Sequence, residues 1–276
     1  MDARSSRQNM KLIATDLDGT LVRSDGTVSP RTVAALARAE QAGLAVLMVT
    51  GRPPRWMNVV AQEIGNRGQA ICANGAVLYD LVTEQIISRR TIPAEVLDEV
   101  IGRLRAELPE LRFAVEYGEG FVFEERYLHG RFDLGKMGGE AVDDAGLVAR
   151  PATKLLGLHP GTDPDALMAH AVKAVGDLVT ITRASERSLL EISALGVTKA
   201  TALEDYCAAR GVAPAEVIAF GDMPNDLPML TWAGRPYAMA NAHPSVLAAI
   251  SAHTPADNNA DGVAAVLEDL LDGRVS

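Results

Sequence analysis

The segment Lys11-Leu-Ile-Ala-Thr-Asp-Leu-Asp-Gly-Thr20 joins an apolar run to two aspartates, Asp16 and Asp18, and a glycine. The apolar run predicts a buried strand whose carboxyl end delivers both aspartates to the sheet edge where open α/β folds bind ligands. Two neighbouring carboxylates suit a hard divalent cation, and one of them can attack a phosphorus centre. An Asp-Gly turn after a strand is common by itself, so other segments must decide between chemistry and a simple turn.

Three further segments contain residue types that bind anions or metals. Two of them follow apolar, strand-like runs, and the third places a lysine in the first turn of a predicted helix. They are Val49-Thr50-Gly51-Arg52-Pro53, Gly196-Val-Thr-Lys199 and Phe220-Gly-Asp222-Met-Pro-Asn225-Asp226.

Each of these segments also has a structural explanation. Thr50 and Asp226 could cap the helices that follow them, and Lys199 could be an ordinary solvated lysine. Arg52 could pair with a carboxylate or contact a substrate, and the sequence favours neither. The joint appearance of all the segments is what favours chemistry over structure.

Strand-like and helix-like patterns alternate up to residue 90 and again after residue 198, which predicts a parallel α/β architecture. A short hairpin is predicted over Thr20 to Val28, around Asp25-Gly26. Between these parts, strands fall in pairs around helices, and residues 126–146 show only weak periodicity. We therefore predict a discontinuous core domain with a separate α+β domain inserted near residues 91 to 190.

The composition is that of an ordinary globular protein, with 276 residues, 48% apolar and 22% charged. A net charge of −10 argues against nucleic acid or an anionic membrane as the partner, although a metal and a few cations can still attract a small anion. Cys72 and Cys207 are predicted to be buried and reduced. No signal-peptide pattern and no apolar run of about 18 residues is present, so a cytoplasmic location is predicted.

The four segments, in this order, resemble the motifs of the haloacid dehalogenase (HAD) superfamily of phosphohydrolases. The insert between the second and third motifs looks like that of the Cof-type branch, subfamily IIB. This resemblance implies a Rossmann-like, doubly wound parallel sheet core with an inserted α+β cap domain of the C2B type. The core would comprise residues 1–90 and 191–276, and the cap, which would determine specificity, residues 91–190.

The resemblance also implies roles for the two aspartates of the first motif. Asp16 would be the nucleophile that forms an aspartyl-phosphate, and as a carboxylate it needs no base to attack. Asp18 would protonate the leaving alcohol and then activate water, which requires a raised pKa that adjacent carboxylates could supply.

Mg²⁺ is the cofactor that the resemblance implies, because the charges of nucleophile and phosphate must be offset. Its ligands would be Asp16, the backbone carbonyl of Asp18, Asp222 and, directly or through water, Asp226. The groups that would hold the phosphate are the backbone N–H of Leu17, Thr50, Gly51, Lys199 and Asn225.

Roles are also predicted for residues outside the motifs. Asn74 and Asn241 are predicted to bend or bridge loops near the site, and Trp56 and Trp232 to pack. Polar residues of the insert are candidates for substrate contacts: Glu125, Arg126, Tyr127, His129, Arg131, Lys136, Arg183, Ser185 and Arg187.

The predicted function is a Mg²⁺-dependent phosphatase that hydrolyses a small phosphorylated metabolite, such as a sugar phosphate. A phosphosugar mutase of the phosphomannomutase type and a non-catalytic module that binds a phosphometabolite are the alternatives. A module would have no need of Asp16, Asp18, Lys199 and Asp222 together, which weighs against it. The substrate and the oligomeric state cannot be deduced from the sequence.

Overall fold

The structure is a computed structural model that describes residues 10–65, 68–127, 138–183 and 188–274. The strands of this part of the chain are β1 Leu12–Thr15, β2 Ala45–Val49, β3 Gln69–Cys72, β4 Val77–Asp80, β5 Gln85–Arg89, β6 Arg112–Glu116, β7 Phe121–Glu124, β8 Gly139–Val142, β9 Lys154–Leu158, β10 Val179–Thr182, β11 Leu189–Ala194, β12 Val217–Gly221 and β13 Arg235–Ala238. The α-helices are α1 Pro30–Gln41, α2 Met57–Ile64, α3 Ala94–Glu107, α4 Asp144–Leu147, α5 Pro164–Val175, α6 Lys199–Ala208, α7 Leu227–Trp232, α8 Pro244–Ala249 and α9 Gly262–Leu271.

Seven strands form the larger sheet, in the order β13-β12-β1-β2-β3-β4-β5. The strands from β13 to β3 are parallel, and β4 and β5 are antiparallel. All four residues of β1 are buried, as expected for a central strand that is covered on both faces. Thr15 lies beside Met48 of β2 and Phe220 of β12, so three strands end at one sheet edge. The first, second and fourth motifs follow these strand ends.

Six strands form the smaller sheet, in the order β10-β11-β9-β6-β7-β8, with only β7 and β8 parallel. Its side chains alternate between two faces, as in any strand. Phe113 and Leu155 belong to an apolar core that also contains Leu97 of α3 and Leu167 of α5. The opposite face of this sheet faces the carboxyl-end edge of the larger sheet.

The predicted fold class is confirmed: a doubly wound sheet carries an inserted α+β sheet. The division into two domains stays a prediction, and its boundary at residue 190 falls inside β11. All of β11 pairs within the smaller sheet, so we propose that the insert ends after Ala194.

No helix in the described residues is long and apolar enough to cross a membrane.

One local prediction was wrong, and one segment that the sequence left unassigned contains regular structure. The hairpin expected over Thr20 to Val28 is a turn closed by a hydrogen bond from Arg23 N to Thr27 O, and no strand pair flanks it. The Asp25 side chain accepts hydrogen bonds from Thr27 instead, which stabilises the turn alone. The segment with weak periodicity contains β8 and α4, which the sequence did not reveal because β8 is an exposed edge strand.

Candidate active site

Three carboxylates meet at the carboxyl-end edge of the larger sheet. Asp16 follows β1, Asp222 follows β12, and Asp226 lies at the start of α7. Each is buried, and one carboxylate oxygen from each lies within 4.8 Å of the others. Gly19 permits this approach, since a Cβ at that position would lie 2.3 Å from Asp222 Oδ2. The backbone φ of +77° at Gly19 also favours glycine.

Lys199 binds two of these carboxylates. It is the first residue of α6, whose N-cap is Thr198, and its side chain is 2% exposed. The ammonium nitrogen lies 2.6 Å from Asp16 Oδ1 and 2.6 Å from Asp226 Oδ1. Burial alone would lower the pKa of Lys199, but Asp16 and Asp226 raise it above its usual value. The explanation of Lys199 as a solvated lysine is therefore wrong.

The three carboxylates carry more negative charge than one ammonium group can balance. Burial raises the pKa of Asp16 well above its usual value, with further contributions from Asp226 and Asp222, against the opposing effect of Lys199. Burial and the charge of Asp226 raise the pKa of Asp222 to about 7. Carboxylate oxygens in a crowded, anionic and buried cluster are a donor set that fits Mg²⁺. Asp16, Asp222 and Asp226 could therefore hold the ion.

Asp226 does more than the helix-capping explanation requires. Its Oδ2 atom accepts hydrogen bonds from the backbone N–H groups of Asp222 and Met223, both at 3.0 Å, while Oδ1 accepts from Lys199. No side-chain hydrogen bond caps α7. Asp226 thus fixes the loop that carries Asp222.

Asp18 lies apart from the buried cluster. Its side chain is 62% exposed, and Arg52 binds both of its oxygens, from Nε to Oδ2 at 2.8 Å and from Nη2 to Oδ1 at 2.5 Å. The structure thus answers the open question about Arg52 in favour of a carboxylate partner. The partner of the Asp18 carboxylate is therefore the Arg52 cation, whereas we expected adjacent carboxylates.

The predicted phosphate-binding groups surround Asp16 but differ in availability. Within the described residues, the backbone N–H groups of Leu17 and Gly51 donate no hydrogen bond, so both are free for an anion. The hydroxyl of Thr50 is buried and accepts from Arg52 N at 3.1 Å. The helical turn that follows begins at Pro54 without a side-chain cap, so the explanation of Thr50 as a helix cap is wrong. Asn225 Nδ2 donates one of its two hydrogens to Asn74 Oδ1 at 3.2 Å, which leaves the second N–H for a phosphate.

A polar bridge that the sequence did not predict connects the two sheets. Lys154 of β9 donates to Gly51 O at 2.7 Å and to Glu191 Oε1 at 2.6 Å. Glu191 also accepts from Asn74 Nδ2 at 2.9 Å, and Asn74 in turn contacts Asn225. The bridging role predicted for Asn74 is thus what its side chain performs, and Asn241 likewise donates to Gly19 O at 2.8 Å.

A second ion pair lies between the sheets. Arg55 pairs with Glu116 of β6, with Nη2 and Oε1 at 2.7 Å, and its guanidinium lies over the rings of Trp56 and Phe121. The sequence contained one signal that these residues have buried partners. Mostly apolar strands each carry a charged side chain: Glu116, Lys154 and Glu191. A charge in such a strand needs a buried partner.

A cavity of about 580 Å³ lies between the two sheets at the site. It is lined by five of the predicted site residues: Asp16, Asp18, Gly51, Lys199 and Asn225. The other predicted site residues are not part of this lining: Leu17, Thr50, Asp222 and Asp226. The volume is within the range of pockets for small molecules, about 300–1,000 Å³. Trp56 also lines the cavity and is 40% exposed, so its prediction as a packing residue was wrong.

Of the candidates for substrate contact in the insert, Tyr127 lines this cavity. Arg183 pairs with Asp165, Arg126 pairs with Glu124, and Glu125 is exposed. The remaining candidates lie outside the described residues: His129, Arg131, Lys136, Ser185 and Arg187.

The arrangement of three strand-end motifs and one helix-start lysine around a buried carboxylate can be compared with known proteins. Residues 13–267 match the family of haloacid dehalogenase-like hydrolases. The chain belongs to this family. The resemblance to its Cof-type branch, with a second sheet inserted into the core, is confirmed with it.

Three members with recorded activities or structures are similar to this HAD-like hydrolase. The 5-amino-6-(5-phospho-D-ribitylamino)uracil phosphatase YitU of Bacillus subtilis is 28% identical, over 94% of this chain and 97% of its own. The pyridoxal phosphate phosphatase YbhA of Escherichia coli is 28% identical, over 92% and 96%. The solved structure of a haloacid dehalogenase-like hydrolase from Bacteroides thetaiotaomicron has a TM-score of 0.74 and 27% identity, over 95% and 99%. The protein is therefore a phosphatase of this family.

Proposed function

We propose that the protein is a Mg²⁺-dependent phosphatase that hydrolyses a small phosphorylated metabolite through an aspartyl-phosphate on Asp16. One observation carries the proposal: the Asp16 carboxylate lines a cavity, is bound by Lys199 and belongs to a cluster of three buried carboxylates. The names of its relatives, which are phosphatases of small phosphorylated compounds, support the reaction class.

In the first half of the reaction, an Asp16 oxygen attacks the phosphorus atom and the bond to the ester oxygen breaks. Asp18 transfers its proton to that oxygen, so the product leaves as a neutral alcohol. The free N–H groups of Leu17 and Gly51 bind the phosphoryl oxygens. Asp16, Asp222 and Asp226 would hold Mg²⁺, which would supply positive charge that reduces the repulsion between carboxylate and phosphate.

In the second half, the Asp18 carboxylate takes a proton from water as that water attacks the aspartyl-phosphate. The bond between phosphorus and the Asp16 oxygen breaks, which releases phosphate and restores the carboxylate. Lys199 stays bound to Asp16 and keeps its orientation throughout. Asp18 starts from its pair with Arg52, so it must leave this partner or turn within the pair to reach the ester oxygen.

Phosphate release from a panel of phosphorylated metabolites tests the proposal. We expect release in Mg²⁺ and none in EDTA, and activity that depends on a bisphosphorylated sugar would indicate the mutase instead. A non-catalytic module would bind a compound of the panel without turnover.

The cytoplasmic location stays a prediction.

A further inference from the structure

The wall of the cavity opposite Asp16 combines a broad apolar area with three charged side chains that have protein partners. It is one face of the smaller sheet, where residues at alternate positions of four strands point the same way. The apolar residues of this face that line the cavity are Ala114, Phe121, Leu156, Leu158 and Leu189. None of them can donate or accept a hydrogen bond through its side chain.

The charged side chains on the same face are already paired. Glu116 binds Arg55, and Lys154 and Glu191 bind each other. Asn74 and the Gly51 carbonyl complete the partners of Glu191 and Lys154. These groups therefore hold the two sheets together, and protein partners already balance their charges.

Few polar groups of the cavity remain free beyond the phosphate end. Within the described residues, the Tyr127 hydroxyl makes no hydrogen bond, and Arg55 Nε is buried without a partner. Arg55 also lies between aromatic surfaces, with its guanidinium 4.6 Å from the Phe121 ring centre and 5.2 Å from that of Trp56. This part of the cavity therefore offers flat apolar area, with the Tyr127 hydroxyl as a polar contact.

We propose that the substrate is the phosphate ester of an aromatic or heteroaromatic alcohol that carries few polar groups, and that Leu156 and Phe121 select for it. The inference rests on the proposed function. A sugar phosphate would bury several hydroxyls against the apolar wall, and each hydroxyl without a partner lowers affinity by about tenfold. A ring buries apolar area there without that loss.

Two esters of primary alcohols, 2-phenylethyl phosphate and glucose 6-phosphate, test the proposal with wild-type protein and Mg²⁺. We expect kcat/KM to be at least about tenfold higher for 2-phenylethyl phosphate, given one or more unpaired hydroxyls on the sugar. Acetyl phosphate, which has neither ring nor sugar, reports on the phosphatase chemistry alone. Release from acetyl phosphate alone, or a preference for glucose 6-phosphate, would overturn the substrate class and leave the phosphatase intact. No release from any of the three would overturn the proposed function and, with it, the substrate class.

A substitution on the wall tests whether this face is responsible. Leu156→Asn should reduce the preference for the ring ester by about tenfold, since it leaves an amide beside the ring. Leu156→Met, which keeps the wall apolar, and Leu195→Asn, at a leucine that is 62% exposed, should leave the preference unchanged. A preference that Leu156→Asn leaves unchanged would assign the selection to another surface. If that variant does not fold, Phe121→Ala replaces it, with kcat/KM for the ring ester expected to fall more than for acetyl phosphate.

Discussion

Arg52 holds the carboxylate of Asp18 through two hydrogen bonds, at 2.8 Å and 2.5 Å. Both residues of this pair also line the cavity. Asp18 is the residue to which we assign both proton transfers, so the Arg52 guanidinium is positioned to set where its carboxylate points. Arg52 also interacts electrostatically with Asp16, so the pair and the buried cluster influence each other.

Loss of the Asp18 carboxylate should separate the two halves of the reaction. With p-nitrophenyl phosphate, whose leaving group needs no proton, Asp18→Asn should still release a first equivalent of p-nitrophenol. Steady turnover should fall by about 10²–10⁴-fold, because no base activates water. Rapid-mixing absorbance measures both phases, with the exposed Asp25→Asn as the control. Steady turnover at the wild-type rate would remove Asp18 from the mechanism.

Lys199 should contribute to stability as well as to chemistry. Lys199→Met removes the only cation that binds Asp16 and Asp226 within the described residues. Breaking a buried pair costs about 3–5 kcal/mol of the free energy of unfolding. Because the pKa values of Asp16 and Asp222 are raised, both can take up protons, so the loss should be smaller at pH 5 than at pH 8.

Urea unfolding in EDTA measures this loss, and Lys11→Gln is the matched control. Lys11 pairs with Glu216 at the surface, where its side chain is 54% exposed, so its loss should cost about 0–1 kcal/mol. Equal losses for the two variants would contradict the buried role of Lys199.

Stabilisation by Mg²⁺ should depend on pH. The pKa of Asp222 is raised from 3.8 to about 7 in the folded protein, so the folded state binds more protons than the unfolded state between these values. The contribution of Asp222 to the stability of the metal-free protein therefore falls as pH rises through this range and is constant above it. Mg²⁺ competes with those protons and relieves the repulsion, so it should stabilise more at pH 8 than at pH 5.5.

Thermal unfolding with and without Mg²⁺ at both pH values checks this dependence. At 100 times the dissociation constant, an ion adds about 2.7 kcal/mol, which raises Tm by roughly 5–10 °C in a chain of this size. A Na⁺ salt of equal ionic strength controls for screening. A Tm increase that is larger at pH 5.5 would contradict the carboxylate cluster as the binding site.

The bridge between the sheets should show strong coupling. Burial alone would raise the pKa of Glu191, but Lys154 lowers it below its usual value, so the Glu191 carboxylate is charged at neutral pH. Lys154→Met should lose about 3–5 kcal/mol, because it leaves a buried charge unpaired. The double variant with Glu191→Gln should lose less than the sum of the single variants. Arg31→Gln, at a surface pair with Glu268, serves as the control, and additive losses would argue against the bridge.

Much of the fold follows from local sequence pattern. The strand before Asp16 is apolar throughout, and helix α1 has Ser29 as its N-cap, so both are visible without a structure. The edge where parallel strands end then predicts that Asp16 and Asp222 lie near each other, whereas the place of Lys199 beside Asp16 came from the resemblance to the family. This part of the site depends on topology, which alternating patterns reveal.

The contacts between the sheets could not be deduced in this way. Lys154 and Glu191 are neighbours only because β9 and β11 pair, and their link to Gly51 depends on how the two sheets dock. Likewise, Arg52 had two equally reasonable partners until the position of Asp18 was known. Pairings over long sequence distance depend on tertiary geometry that no local pattern contains.

The account depends most on Asp16 as nucleophile, and Asp16→Asn tests it directly because the substitution removes the charge with almost no change in volume. Phosphate release from the ester panel would be measured for wild type and variant, in Mg²⁺ and in EDTA, with circular dichroism to confirm folding. We expect Mg²⁺-dependent release from wild type and a rate at least about a thousandfold lower in the folded variant. Turnover retained by Asp16→Asn would contradict the account.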